Sequence, residues 1–255
     1  YGGTLVVTNS TFYGNRSDGP FGSGGGIANR GGGTATIADS AFSINSAELG
    51  GGIFNDSTGM LAVTNSAFSD NIADIGGGIY TTVFGLATIT NSTFSGNSAA
   101  GAPGGGGIYS EATLTIANST FSGNSAVGSG GGLYNLFGEV IITNSTLSGN
   151  SADNGAGGIR SIESVTFGGT MTLRNTIVAN STGGNCDGVI ANGGNNIDDG
   201  TTCAWDSTSG SMSSTDPLLG ALTGSPAYFP LNAGSPAIDA GDDAVCAAAP
   251  VNNES

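Results

Sequence analysis

Apolar and polar positions along the chain fall into two short patterns that alternate. One is an aromatic or aliphatic residue with asparagine three positions later: Phe12/Asn15, Phe42/Asn45, Phe68/Asn71, Phe94/Asn97, Phe121/Asn124, Leu147/Asn150 and Ile177/Asn180. The lead residues are 26 to 30 positions apart. The other is a glycine run closing on an aliphatic residue, at Ile27, Ile53, Ile79, Ile108, Leu133 and Ile159. A fixed period of this length, with insertions confined to the stretches between motifs, marks a solenoid. Within one unit, Thr113-Leu114-Thr115-Ile116 alternates polar and apolar, the period of a half-buried strand. Ser119–Ser122 and Gly107–Ser110 supply two more short β-like runs. No unit holds an amphipathic helical stretch of useful length.

These features predict an all-β, right-handed parallel β-helix with about 26 residues and three short strands per coil. Two inward aliphatic columns are expected. One is Val7, Ile37, Val63, Ile89, Ile116 and Ile142; the other is Leu5, Ala35, Leu61, Ala87, Leu114 and Val140. A third column, Phe12, Phe42, Phe68, Phe94, Phe121 and Leu147, fills the next face. The asparagines, both Asn15 through Asn180 and the row Asn9, Asn65, Asn91, Asn118 and Asn144, read as stacked turn amides bonding neighbouring coils. The coils run over residues 1–203, the last one or two irregular. Residues 204–255 lose the period, hold five of the seven prolines and the single Trp205, and are expected to cap the open strand edges. Tyr1 falls inside a repeat, so either upstream coils precede it or another molecule covers that end.

Composition narrows the chemistry. The chain of 255 residues has 48 glycines, four arginines, no lysine and no histidine, against 19 acidic residues, for a net charge of −15. Without histidine or lysine there is no Ser-His-Asp triad, His-bearing zinc site, Schiff-base lysine or P-loop lysine. The negative charge disfavours nucleic acid and anionic membranes as partners. No run of 18 apolar residues is present, so no membrane insertion is expected in this segment.

The alternating Phe-x-x-Asn and Gly-Gly-x-(Ile/Leu) motifs resemble the repeat of the bacterial polymorphic outer membrane proteins. The unit Asn-Ser-Thr-Phe-Ser-Gly-Asn-Ser, at 91–98 and 118–125, is still more similar to secreted bacterial β-helix proteins of the choice-of-anchor C-terminal type. The tail carries the same resemblance through Asn175–Asn180, the Cys186/Cys203 pair, Thr215–Gly220 and Gly234–Asp242, in that order. It implies a β-helix exported to the cell surface, in some members adhesive. The chain departs from the outer-membrane family in having glycine where alanine is common as the third residue of the glycine run. In a chain read as exported, three cysteines suggest one disulfide and one remainder. Cys186–Cys203 is the candidate pair, clamping the last coil, with Cys246 left over.

Other constellations are weaker. Arg16, Arg30, Arg160 and Arg174 stand in different units with no acidic cluster in a matching row, and the paired acids Asp198-Asp199 and Asp242-Asp243 are adjacent in sequence. Adjacent strand residues face opposite ways, which makes a poor acid/base couple. The chain is therefore read as no enzyme and without a cofactor. Calcium at the Asp-rich turns is the alternative to no cofactor, although the Gly-Gly-x-Gly-x-Asp repeat is absent. The outward threonines Thr36, Thr88 and Thr115 are interrupted by Val6, Ala62 and Ile141, which breaks an ice-binding array. Sequons such as Asn91-Ser92-Thr93 recur because the turn recurs. Tyr80, Tyr109 and Tyr134 follow the glycine-run aliphatic residue and form an outward ladder, a candidate glycan contact or a self-stacked column. The function expected is a non-catalytic, extracellular or cell-surface, structural or adhesive rod. End-to-end self-association into filaments and a glycan or cell-surface ligand are its expected partnerships. The alternative is a carbohydrate-binding or polysaccharide-degrading (lyase or hydrolase) β-helix.

Overall fold

In the computed structural model, which describes residues 2–19, 21–164 and 168–247, the chain winds as a parallel β-solenoid of about seven turns, roughly 26 residues each. The longest strands form one sheet: Thr4–Thr8, Thr34–Ala38, Met60–Thr64, Leu86–Thr90, Thr113–Ala117, Glu139–Thr143, Thr170–Arg174 and Ala191–Asn192. The phenylalanine sheet follows, from Thr11–Tyr13 through Thr120–Ser122 to Ile197–Asp198. Another sheet starts after each glycine run, from Ile27–Asn29 through Ile108–Ser110 to Cys186–Gly188. A fourth, short parallel sheet joins the three strands expected per coil: Ser46–Leu49, Ile72–Ile75, Ser98–Ala99, Ser125–Ala126 and Ser151–Ala152. These segments are only two to four residues long and rich in Ser and Ala, so they carry little apolar alternation to reveal them in sequence.

Stacking like on like builds the core. Ala35, Leu61, Ala87, Leu114 and Val140 pair in register and are buried, as are Ile37, Val63, Ile89, Ile116 and Ile142. The rings of Phe12, Phe42, Phe68, Phe94 and Phe121 stack with centroids 4.6–4.8 Å apart and planes within 5°. That spacing matches the distance between strands, so identical rings meet face to face down the rod. The two sequence motifs touch inside each coil. A Cβ on Gly78 would stand 3.0 Å from the Phe94 ring, and one on Gly107 would stand equally near Phe121. Glycine as the third residue of the run is thus what lets a phenylalanine fill the interior. Gly76, which opens the run with φ of +69°, supplies the left-handed corner.

The last turn departs from the expected register. Val178, not Ile177, pairs with Leu147 and enters the core, and Ile177 pairs with Thr146. The pairings Thr143 with Arg174, Ser148 with Ala179 and Ser151 with Thr182 keep one offset throughout, so the turn loses no residue; the Ile177-x-x-Asn180 motif itself stands one position before the core row.

The described part of the last segment, residues 204–247, does more than cover an end. Trp205 packs on the core beside Cys186 and Cys203, and Met212 bridges Ile197, closing the final coil. The chain then leaves the end and runs back along the side of the rod. Thr223–Gly224 and Ala227–Tyr228 form an antiparallel hairpin, extended by a Leu219–Leu231 bridge. Its tip, Ser225 and Pro226, lies beside Asn9, Asp39 and Asn65 of the first coils. Its base is held by Asn175, which accepts from Asp242 N (3.0 Å), and by Asn195, which donates to Ala240 O (2.7 Å). Midway, Thr93 Oγ1 donates to Ala227 O at 2.8 Å. The arm therefore lies over the corner between the long-strand and phenylalanine sheets, which is a correction to the reading of the whole segment as an end cap. Among the described residues, no helix is long and apolar enough to cross a membrane.

Candidate functional site

The asparagines divide into two rows with different roles. Asn9, Asn65, Asn91, Asn118, Asn144 and Asn175 adopt left-handed conformation, with φ between 47° and 52°, and make the bend out of the long strand. They are turn residues at the corner, and Asn65 Nδ2 donates to Asp39 Oδ1 of the coil before at 3.3 Å. The residue after each continues inward as an unforeseen hydroxyl ladder. Ser40, Ser66, Ser92 and Ser119 accept from the serine N–H of the preceding coil at 3.1–3.2 Å and donate to the carbonyl two residues back.

Asn45, Asn71, Asn97, Asn124 and Asn150 are fully buried. In each step an amide donates to the next Oδ1 at 2.9 Å and, from Asn45 on, to a phenylalanine carbonyl of the coil before, at 2.9–3.0 Å. Asn15 sits exposed at the first rung, bonding Asn45 through N and Nδ2. Asn180 does not belong to the ladder, because it falls opposite Gly149, and Ser181 takes the place equivalent to Asn150. It takes the left-handed corner with φ of 57° and donates through Nδ2 to Ser148 Oγ and through N to Asp199. Its signal in sequence is the short spacing from Asn175.

Cys186 and Cys203 are joined by a disulfide 17 residues apart in sequence. The buried Asp198 accepts from Cys203 N (3.0 Å), Gly200 N (2.9 Å) and Asn185 Nδ2 (2.6 Å), and Asp199 shares the same Asn185 amide. These two acids hold the last coil together. The Cys246 side chain lies outside those described. Among the described residues no group of three Asp, Glu, His or Cys is arranged to hold a metal ion.

The tyrosines form one column with Phe54: successive centroids lie 5.5, 4.9 and 5.2 Å apart. Although on the outside of their strands, they are buried, because Leu49 and Ile75 on one flank and Leu136 and Ile162 on the other close over them. The Arg30 guanidinium stands 5.5 Å from the Phe54 ring, and Arg160, ion-paired with Asp187, follows Tyr134 in register. The column is thus a second hydrophobic core terminated at both ends by cations. The ring faces of Tyr80 and Tyr109 are covered by their neighbours, so of the two readings of Tyr80, Tyr109 and Tyr134 the self-stacked column is the one the packing shows. Burial, with the Glu111 charge added, holds the Tyr80 and Tyr109 hydroxyls well above the usual phenol range. Burial likewise raises Tyr134, opposed by Arg160. Glu111 Oε1 accepts from both Tyr109 (3.1 Å) and Tyr80 (3.3 Å).

That carboxylate opens onto the feature sequence reasoning missed. Between the glycine-run strand and the long strand, four residues connect Thr81 to Leu86, two connect Ser110 to Thr113, and three connect Asn135 to Glu139. The short middle loop leaves a recess floored by Ala112 between two taller loops. Phe84 and Phe137 rise on either side, and with Val83, Glu111 and Glu139 they line a cavity of about 540 Å³. Phe84 is 83% exposed, with φ of 63°; Phe137 has φ of 62°. Bulky residues are rare in that conformation, which Thr58 and Gly168 occupy in other coils. The only sequence signal is an aromatic directly before glycine at a turn, Phe84-Gly85 and Phe137-Gly138.

Two stretches of the chain, residues 91–111 and 118–136, match the Chlamydia polymorphic membrane protein repeat. They span most of two adjacent coils, including Phe94, Asn97, Phe121 and Asn124, so these turns are similar to that repeat. Neither a curated protein nor a solved structure matches the chain.

Proposed function

We propose that the chain is a non-catalytic, adhesin-like rod displayed on a bacterial cell surface. The observation that carries this reading is the match of two coils to a membrane-protein repeat, in a solenoid whose other coils repeat the same stacked rows. The electrostatics agree with it. Arg16 pairs with Asp18, Arg160 pairs with Asp187, and Arg30 covers Phe54, so three of the four cations are engaged in structure. The acids Asp198 and Asp199 are bonded to backbone and amide groups of the last coil. Parallel stacking of ladders supplies a stiff body, and the loops between the glycine-run and long strands supply a variable edge suited to contact.

The test is labelling of intact source cells with antibody to the chain, against an intracellular protein as control, together with binding of the purified fluorescent chain to candidate host cells. Surface labelling and saturable cell binding are expected. Labelling only after cell lysis, or release of reducing ends from a panel of polysaccharides by the purified chain, would overturn the reading in favour of an internal role or a glycan-degrading enzyme.

A further inference from the structure

We propose that the recess between Phe84 and Phe137 binds a small organic ammonium ion, of the size of a trimethylammonium group. Three independent features converge there. Phe84 and Phe137 belong to coils on either side of the short loop, two inter-strand spacings apart, which is about 9.6 Å. A trimethylammonium group midway between coils at that spacing stands about 4.8 Å from each, inside the ~6 Å over which an aromatic face attracts a cation.

The second feature is the carboxylate. Glu111 Oε1 is fixed by the hydroxyls of Tyr80 and Tyr109, which orients the group and leaves Oε2 for a ligand at the cavity wall. Glu139 also lines the recess, and among the described residues no arginine does. The charge of the cavity is thus complementary to a cation, and its volume of about 540 Å³ falls in the range of small-molecule sites. Third, Phe84 holds a left-handed turn conformation in which glycine or asparagine is unstrained, while exposing nearly all of its side chain. Neither packing nor turn geometry requires a phenylalanine there, whereas a cation held over its ring gives the side chain a role.

The experiment titrates choline into the purified chain by calorimetry and by ligand-observed NMR, with its uncharged isostere 3,3-dimethyl-1-butanol and with sodium chloride as competitors. Saturable one-site binding of choline is expected, with the isostere weaker by about tenfold, the factor a cation–aromatic contact of about 1.4 kcal/mol supplies. Phe84→Gly relieves the turn, so its melting temperature is expected to hold or rise while choline affinity falls at least about tenfold. Glu111→Gln, which keeps an acceptor for both tyrosines, is expected to weaken choline and leave the isostere unchanged. Equal affinity for choline and the isostere would overturn the proposal in favour of a plain apolar pocket. No saturable binding at about 10 mM choline, or undiminished binding in Phe84→Gly, would overturn it outright. Neither result depends on where in the cell the chain resides.

Discussion

Replacing Asn97 with alanine removes a side chain that makes four hydrogen bonds at zero exposure. It donates to Phe68 O and Asn124 Oδ1, both at 2.9 Å, and accepts from Asn71 N at 3.1 Å and Asn71 Nδ2 at 2.9 Å. Asn71 keeps a donor bond to Phe42 O, and Asn124 Oδ1 still accepts from residue 97 through the backbone N–H. The groups stripped of this partner are therefore Asn71 N–H and Phe68 O. At about 1–3 kcal/mol for each buried polar group left unmade, the expected loss is roughly 2–6 kcal/mol. Asn15→Ala is the matched control, because Asn15 is exposed and its side chain donates one bond, to Asn45 Oδ1; about 0.5–1 kcal/mol is expected there. Urea denaturation followed by circular dichroism measures the global loss, and Trp205 fluorescence reports the last coil separately. In a solenoid a lesion in the middle can uncouple the two halves, so the two signals are expected to separate in Asn97→Ala and to coincide in Asn15→Ala. If both variants unfold at the same urea concentration, the amide ladder is not what joins the coils, and the Phe-x-x-Asn motif must recur for some other reason.

Gly78→Ala is expected to cost about 1–3 kcal/mol, since the added methyl meets Phe94 at 3.0 Å and Gly107 O at 2.5 Å; the double variant Gly78→Ala/Phe94→Leu should recover part of it, read as a non-additive denaturation cycle. Reducing the disulfide, or replacing Cys186 and Cys203 by serine, opens a loop with a sequence separation of 17 and should cost roughly 3 kcal/mol, seen first in Trp205 fluorescence. The buried hydroxyls of Tyr80 and Tyr109 are raised above the unfolded phenol value near 10, so the folded state holds protons that the unfolded state releases at alkaline pH. Their contribution is fully present below that value and falls as pH rises beyond it. Ultraviolet titration should show these tyrosines ionising only together with unfolding, and early ionisation of all six would contradict their burial.

The fold was legible because a parallel solenoid writes its contacts into one dimension. Each inward position meets its own counterpart one period away, so rows such as Ile37, Val63 and Ile89 could be read without knowing the turns between them. Residues that look alike in sequence but differ in backbone conformation were not separable that way. Asn91 and Asn97 recur with the same period, yet one is a left-handed bend and the other a buried amide. The Ile177/Asn180 pair misled for a related reason: it keeps the motif's internal spacing but stands one position early in an otherwise unbroken register, and only pairing with Leu147 shows that Val178 is the core residue. The arm over residues 217–247 could not be placed at all. Its anchors, Thr93, Asn175 and Asn195, bond it through backbone carbonyls and amides that leave no pattern in the sequence of the arm.

The same logic explains why the recess stayed hidden and why it is the place to look for chemistry. Rows that stack are constrained by their neighbours, and their residues are accounted for by packing: the stacked phenylalanines, the amide ladder and the tyrosine column each satisfy themselves. A ligand site on such a rod must come from a break in the repeat. In this chain the break is a difference of one or two residues in loop length between adjacent coils, which lowers Ala112 between Phe84 and Phe137. The column behind it is not idle, since its two hydroxyls set the position of Glu111. Removing them tests that connection directly. Tyr109→Phe keeps the stacked ring, so stability should change by only about 1 kcal/mol, while a carboxylate with one anchor fewer should bind choline less tightly than in the parent chain. Unchanged affinity in Tyr109→Phe, with choline binding intact in the parent, would separate the recess from the column and leave the loops alone responsible for the site.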